Sequence, residues 1–175
     1  MKSIAAYFDG IFDRIFSVLG AVGLAQFPQY FQQYLQRLGG HADEAKIVAW
    51  LFRDAARDAG YTIEDYITRF KNEPVPEIAR QGDIMQFSID RADQLAAAVD
   101  ALQSANMFTR PFVFLAHMDT DIAMSALRIF QPGIPTTPEG AVYAFAGILL
   151  GLAFYHGVKW PVKKMAAKKK KVNLS

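Results

Sequence analysis

One uncharged segment near the C-terminus constrains this chain more than any other feature. Residues 140–158 are 19 consecutive residues without a formal charge. A helix of that length rises roughly 28 Å, which matches the hydrocarbon thickness of a bilayer. Thr137 is placed to cap this helix, and Pro138 suits its first position. We therefore predict a transmembrane helix over residues 138–160. A buried core helix of a soluble domain is the alternative.

A second apolar segment lies near the N-terminus. Residues 15–36 carry no formal charge, and Ile11 and Phe12 extend the apolar stretch upstream. The length predicts a first transmembrane helix over residues 11–36, with a polar far end. Two alternatives stay open, a cleaved signal peptide and an amphipathic helix in the membrane interface.

The distribution of charge predicts an orientation. The chain has a net charge of +2, yet residues 37–139 hold 10 basic and 15 acidic side chains, and the tail after residue 158 holds seven lysines and no acid. Because basic residues stay on the cytoplasmic side, both termini (1–14 and 161–175) are predicted to be cytoplasmic in a bacterial inner membrane, and residues 38–137 periplasmic. The acidic surface argues against a nucleic-acid partner. Anionic lipid headgroups are expected to bind the basic C-terminal end: Lys159, Trp160, Lys163, Lys164, Lys168, Lys169, Lys170 and Lys171.

The middle of the chain reads as helices. No segment alternates strictly between apolar and polar residues, and there is no cysteine to form a disulfide. A helix over residues 42–59 is predicted to have one apolar face, made of Ala45, Val48, Ala49, Leu51, Phe52, Ala55 and Ala56. The predicted fold class is all-α, with two transmembrane helices flanking an extracytoplasmic helical bundle.

Small residues on the second span predict helix packing. Gly147 and Gly151 form a GxxxG motif, which Gly140 and Ala144 extend, and such spacing lets another helix approach closely. The first span, with Gly20 and Gly23, is one candidate for that helix. His156 lies inside the second span, where an ionisable residue is a candidate cofactor contact. The alternative is that it lies at the membrane interface and hydrogen-bonds a neighbouring helix or a lipid headgroup.

Amides and aromatic residues cluster where the first span ends. Such a belt at a membrane exit predicts either a plain helix stem or a docking surface for another subunit. The residues of this predicted docking surface are Gln26, Gln29, Tyr30, Gln33, Tyr34 and Arg37.

No catalytic motif is recognisable. The sequence has no GxSxG, phosphate-binding loop, GxGxxG or HExxH pattern, and its serines have no evident His–acid partner. The chain is therefore predicted not to be an enzyme, and no metal site is expected.

The sequence resembles a family of uncharacterised bacterial membrane proteins, catalogued only as a domain of unknown function. The resemblance rests on Gln26-Phe27-Pro28, Gln33-Tyr34, residues 36–40, Asp43-Glu44, residues 108–110, and the closing segment from Pro138-Glu139-Gly140 to Trp160-Pro161. It implies a two-span inner-membrane protein and brings no activity.

These features favour a non-enzymatic accessory or scaffolding subunit of a larger inner-membrane complex, such as a respiratory or photosynthetic one. Its partners would be lipids and other integral membrane subunits, and it would hold no cofactor of its own. Two alternatives stay open. One is a periplasmic sensor or ligand-binding module, and the other is a protein that uses His156 to contact a haem or chlorin held by a partner.

Overall fold

The computed structural model describes the backbone of residues 2–134 and 136–172, and the side chains of residues 11–134 and 136–158. The helices are α1 (Lys2–Ala25), α2 (Phe27–Asp58), α3 (Ile63–Lys71), α4 (Pro76–Ser104), α5 (Arg110–His117), α6 (Thr120–Arg128) and α7 (Pro138–Val172). The described residues contain no strand, so the all-α prediction is confirmed. The chain divides into two compact units. The hairpin unit comprises the segments up to Tyr30 and from Gln131 onward, and the middle unit is Phe31–Phe130.

The N-terminal apolar segment differs from the single helix predicted over residues 11–36. α1 ends at Ala25, Gln26 forms a turn, and α2 begins at Phe27. Pro28 explains the break, because it has no N–H to donate to the carbonyl of Leu24. The backbone hydrogen bonds resume with the Tyr30 N–H donating to the Gln26 carbonyl at 2.9 Å.

Two helices of the described chain are long and apolar enough to cross a membrane. One apolar window lies in the helical stretch that starts at Ile11, and the other is Pro138–Val158. Little of either window is buried, whereas the core helix of a soluble protein would be mostly buried. In the hairpin unit, α1 and α7 pack along each other and leave large apolar side chains such as Leu19 and Phe145 exposed.

One core of the middle unit lies between α2, α3 and α4. Its buried residues are Ala49, Ile67, Met85, Ile89 and Ala92. Gly82 lets α3 approach α4, since a Cβ there would lie 2.9 Å from the Lys71 backbone nitrogen. α4 runs through this position as one continuous helix.

The apolar face predicted for residues 42–59 is partly wrong. Ala49 is buried, and Ala45 and Phe52 pack against it. Val48 and Leu51 are exposed, because they point away from α3 and α4. Thr62 caps the start of α3, because its hydroxyl accepts from the Asp65 N–H at 3.1 Å.

A second packing centre joins the beginning of α2 to α5 and α6. Phe114 of α5 meets Tyr34 edge-on, with ring centroids 5.0 Å apart, and meets Phe31 at 6.2 Å. The Asp119 N–H donates to the Tyr34 hydroxyl at 2.8 Å, at the point where α6 begins. Phe31 and Tyr34 are fully buried, so the start of α2 anchors both short helices.

Candidate functional site

Glycine residues bring the backbones of α1 and α7 into direct contact. A Cβ added at Gly147 would lie 2.1 Å from the Gly20 carbonyl oxygen, and one added at Gly20 would lie 2.2 Å from the Gly147 oxygen. A Cβ at Gly151 would lie 2.3 Å from the Phe16 oxygen. Any larger residue at these three positions would force the helices apart. We call Gly20, Gly147 and Gly151 the glycine seam.

Aromatic side chains flank the glycine seam at both ends. The Phe16 ring lies 5.8 Å from Phe154 and 5.7 Å from Tyr155, and the Phe27 ring lies 5.3 Å from Tyr143. Such contacts add to the close backbone packing, which drives helix association where the surroundings are apolar.

The other small residues that the sequence indicated for helix packing have different surroundings in the structure. Gly140 is buried, and its N–H donates to the Thr137 hydroxyl at 3.1 Å as part of the helix start. Ala144 is half-buried. A Cβ at Gly23 would meet nothing within 4 Å, so that glycine lies outside the seam.

Gln26 and Gln29 hold the segment that leads into α7. Gln26 donates to the Gly133 carbonyl at 2.9 Å and accepts from the Gly133 N–H at 3.0 Å. Gln29 donates to the Gln131 carbonyl at 3.0 Å. A Cβ at Gly133 would lie 2.4 Å from the Gln29 amide oxygen, so a larger residue there would displace this side-chain amide. We call Gln26, Gln29, Gln131 and Gly133 the amide clamp.

The predicted docking surface is therefore wrong in part. Tyr34 is 0% exposed and belongs to the core of the middle unit, because its ring packs on Phe114. The side-chain amides of Gln26 and Gln29 form intramolecular hydrogen bonds in the amide clamp. Tyr30 and Gln33 are half-buried, and Arg37 is exposed. Sequence position alone placed these residues at a membrane exit without revealing their internal partners.

An exposed apolar patch on α2 escaped the sequence analysis. Ile47, Trp50 and Leu51 are 60%, 56% and 53% exposed. Their i, i+3 and i+4 spacing puts them on one helix face. We call these three residues the α2 patch. The sequence does contain a signal for this patch, because α2 carries apolar residues on two opposite faces. Only one of these faces is needed for packing against the core, so the other is left exposed.

Charged residues border the α2 patch. Asp43 and Glu44 lie about one turn before it and are exposed. After it, Arg57 pairs with both Asp54 and Asp58. Lys46, next to Ile47, is also exposed, so the border carries both charges.

The model of a protein family, described as protein of unknown function (DUF2937), matches residues 8–167. The chain belongs to this family. The resemblance drawn from sequence to an uncharacterised family is confirmed. No curated protein and no solved structure matches the chain.

In this DUF2937 member, His156 lies beside an acidic residue. Its Nε2 is 3.5 Å from Asp13 Oδ1, joining α7 to α1. Nε2 of His156 is thus next to a carboxylate. A haem could be ligated by His156 only if it displaced Asp13 or bound to Nδ1 instead. Among the described residues, no group of three His, Cys, Asp or Glu side chains could hold a metal ion.

The lipid-headgroup anchor predicted from the lysine tail lies outside the residues whose side chains are described. Lys159, Trp160, Lys163, Lys164 and Lys168 to Lys171 belong to the helical backbone of α7, which ends at Val172. Their contact with lipid stays a prediction.

A cleft opens on the middle unit of this DUF2937 chain. It has a volume of about 430 Å³ and is lined by Tyr61, Tyr66, Arg69, Phe70, Glu73 and Ile78. The Arg69 guanidinium lies 4.4 Å from the centre of the Tyr61 ring, and the Tyr66 and Phe70 rings are 5.0 Å apart. Aromatic side chains, one cation and one anion thus line this cleft.

Proposed function

We propose that this protein is a non-enzymatic membrane-anchored adapter, in which the α1–α7 hairpin crosses the bilayer and the middle unit binds another subunit of a membrane complex. The middle unit would be periplasmic and both termini cytoplasmic, as the lysine-rich tail favours. The amide clamp supports an anchor that ends at Gln26. Its hydrogen bonds join the residue after α1 to the segment that leads into α7.

The α2 patch is the observation that carries this proposal. A tryptophan and two aliphatic side chains stand exposed on one helix face, opposite the buried face of α2. Apolar patches bordered by charged residues mark protein interaction sites, and tryptophan is the residue that most often dominates their energy. The mixed charges of the border, Asp43 and Glu44 beside Lys46, favour a partner that surrounds an apolar centre with charges of both signs.

Affinity purification of the tagged protein from its native membrane in mild detergent tests the proposal. We expect stoichiometric co-purification of an integral membrane subunit. Trp50→Glu should reduce its recovery roughly tenfold or more, because a central aromatic anchor contributes above ~1.4 kcal/mol. Ala97→Glu, an exposed position on α4, is the matched control and should leave recovery unchanged. A protein that purifies alone would contradict the proposal.

The cleft on the middle unit favours a second candidate function, a ligand-binding or sensor module. Tyr66 and Phe70 offer aromatic faces, and Arg69 offers a positive charge to an aromatic carboxylate. Calorimetric titration of the full-length protein with benzoate tests this candidate. Saturable binding that Tyr66→Ala abolishes would support it, and absence of binding would count against the carboxylate version.

A further inference from the structure

The cleft on the middle unit is built on the packed core beneath it. Tyr66 and Phe70, four residues apart on α3, both pack against the buried cluster that joins α2, α3 and α4. Ile78 lines the cleft from the first turn of α4. The close approach of α3 to α4 at Gly82 fixes these two helices against each other. The cleft, which we call the aromatic cleft, is therefore formed by packed elements of one unit.

The size of the aromatic cleft suits a small organic molecule. Its volume of about 430 Å³ lies within the range of about 300–1,000 Å³ that small-molecule sites occupy. The Tyr66 and Phe70 rings lie 5.0 Å apart and are inclined at 57° to each other. Inclined rings can contact an aromatic group edge-on or offset, which are the arrangements that aromatic pairs prefer. We therefore expect the apolar part of a ligand to lie against these two rings.

Two opposite charges line the aromatic cleft without neutralising each other. Arg69 and Glu73 are about one helical turn apart, since the backbone still turns at Glu73, whose N–H donates to the Phe70 carbonyl at 3.2 Å. Within the part of the chain whose side chains are described, neither of the two charged groups has an ion-pair partner. Lys71, by contrast, pairs with Asp83 at 3.5 Å. The aromatic cleft thus offers both charges to a ligand.

Tyr61 orients the positive charge of the cleft. The Arg69 guanidinium lies over the Tyr61 ring, 4.4 Å from its centre. Stacking occupies one face of this planar group and leaves its N–H edge for a carboxylate, which can accept two parallel hydrogen bonds there. A carboxylate alone would leave Glu73 without a countercharge and would add a second negative charge to the cleft. A ligand that also carries an ammonium group removes this repulsion.

We propose that the aromatic cleft binds an α-amino acid with an apolar side chain, above all an aromatic one. Arg69 binds the α-carboxylate and Glu73 binds the α-ammonium group. The side chain of the ligand lies against Tyr66, Phe70 and Ile78. The two charges of an α-amino acid are attached to one carbon atom, which matches two protein side chains that are neighbours on a helical turn. This inference rests on the second candidate function, a ligand-binding module, and specifies its class of ligand.

Calorimetric titration of the full-length protein in detergent with three probes tests this proposal. L-Phenylalanine carries both charges, N-acetyl-L-phenylalanine lacks the ammonium group, and L-phenylalaninamide lacks the carboxylate. Titration at about pH 6 keeps the amines charged. Glu73→Gln removes the negative charge of the cleft and keeps the size of the side chain. Glu77→Gln is the matched control, since Glu77 is exposed on α4 and does not line the cleft.

We expect L-phenylalanine to bind roughly tenfold more tightly than either blocked probe, because each of those lacks one charge-assisted contact. Glu73→Gln should weaken its binding by about the same factor without weakening that of N-acetyl-L-phenylalanine, and Glu77→Gln should change neither. If L-phenylalanine binds no more tightly than its N-acetyl derivative, or if Glu73→Gln has no effect, amino-acid recognition is overturned. Saturable benzoate binding would then leave the ligand-binding candidate standing. If neither L-phenylalanine nor benzoate binds, both fail.

Discussion

At the residue scale, the absence of three side chains determines how closely α1 and α7 can pack. Gly20 and Gly147 face each other so closely that each hypothetical Cβ would overlap the other residue's carbonyl oxygen. Gly157, further along α7, has nothing within 4 Å of its hypothetical Cβ. The chain therefore contains both a test position and a control on one helix.

Gly147→Val should destabilise the hairpin unit by about 1–3 kcal/mol, because the added methyl groups must push the two backbones apart. Gly157→Val should change stability only slightly, through the somewhat better helix propensity of valine. Thermal unfolding in detergent, followed by circular dichroism, measures both variants. Equal melting temperatures for the two would contradict the glycine seam.

The second prediction at the residue scale concerns the hydrogen bonds of Gln26. Gln26→Leu removes both hydrogen bonds to Gly133 and should cost about 1–3 kcal/mol, since it leaves backbone groups without their partner. Gln36→Leu changes an exposed glutamine on the same chain segment and serves as control. Amide hydrogen exchange at Gly133 should accelerate in the first variant only. An unchanged exchange rate at Gly133 would contradict the amide clamp.

At the element scale, the start of α6 depends on one carboxylate. Asp119 accepts from the N–H groups of Asp121 and Ile122, both at 3.0 Å, and pairs with Arg91. Partial burial opposes its ionisation, but the backbone hydrogen bonds and Arg91 outweigh this effect and lower the pKa of Asp119. Asp119→Ala should destabilise the middle unit by about 1–2 kcal/mol, while Asp121→Ala, exposed in the same turn, should cost less.

The same carboxylate predicts a dependence on pH. A group with a lowered pKa in the folded state stabilises the fold fully above its unfolded pKa, about 4, and loses that effect as the pH falls through the folded pKa. The stability difference between wild type and Asp119→Ala should therefore shrink from pH 7 to pH 3. Urea unfolding at each pH measures it. A difference that grows on acidification would refute this role of Asp119.

Local signals in the sequence predicted several helix ends, because caps depend on neighbouring residues. Thr137 is the example, since its hydroxyl accepts from the Gly140 N–H at the start of α7 as its capping pattern indicates. The partners of Gln26 and Tyr34 could not be predicted, since those contacts join residues about 85 to 107 positions apart. The α2 patch was missed because Leu51 and Ala49 are both apolar residues of one apolar segment. Only tertiary packing decides which of the two is buried.

At the scale of the whole molecule, each unit has its own chemistry. The hairpin unit pairs a tight backbone contact with apolar outward side chains, as helices in lipid do. The middle unit has a small core and exposes the α2 patch and the aromatic cleft. An anchored adapter accounts for these features by giving each exposed apolar surface a protein or lipid partner.

Cysteine accessibility in native membranes tests this account most directly. Leu19→Cys and Leu149→Cys lie on exposed faces of α1 and α7, and Gln103→Cys lies on the surface of the middle unit. We expect a membrane-impermeant maleimide to label position 103 in spheroplasts, and to label 19 and 149 only after detergent is added. Labelling of 19 and 149 in intact and permeabilised membranes alike, or release of the protein by alkaline carbonate, would contradict the account.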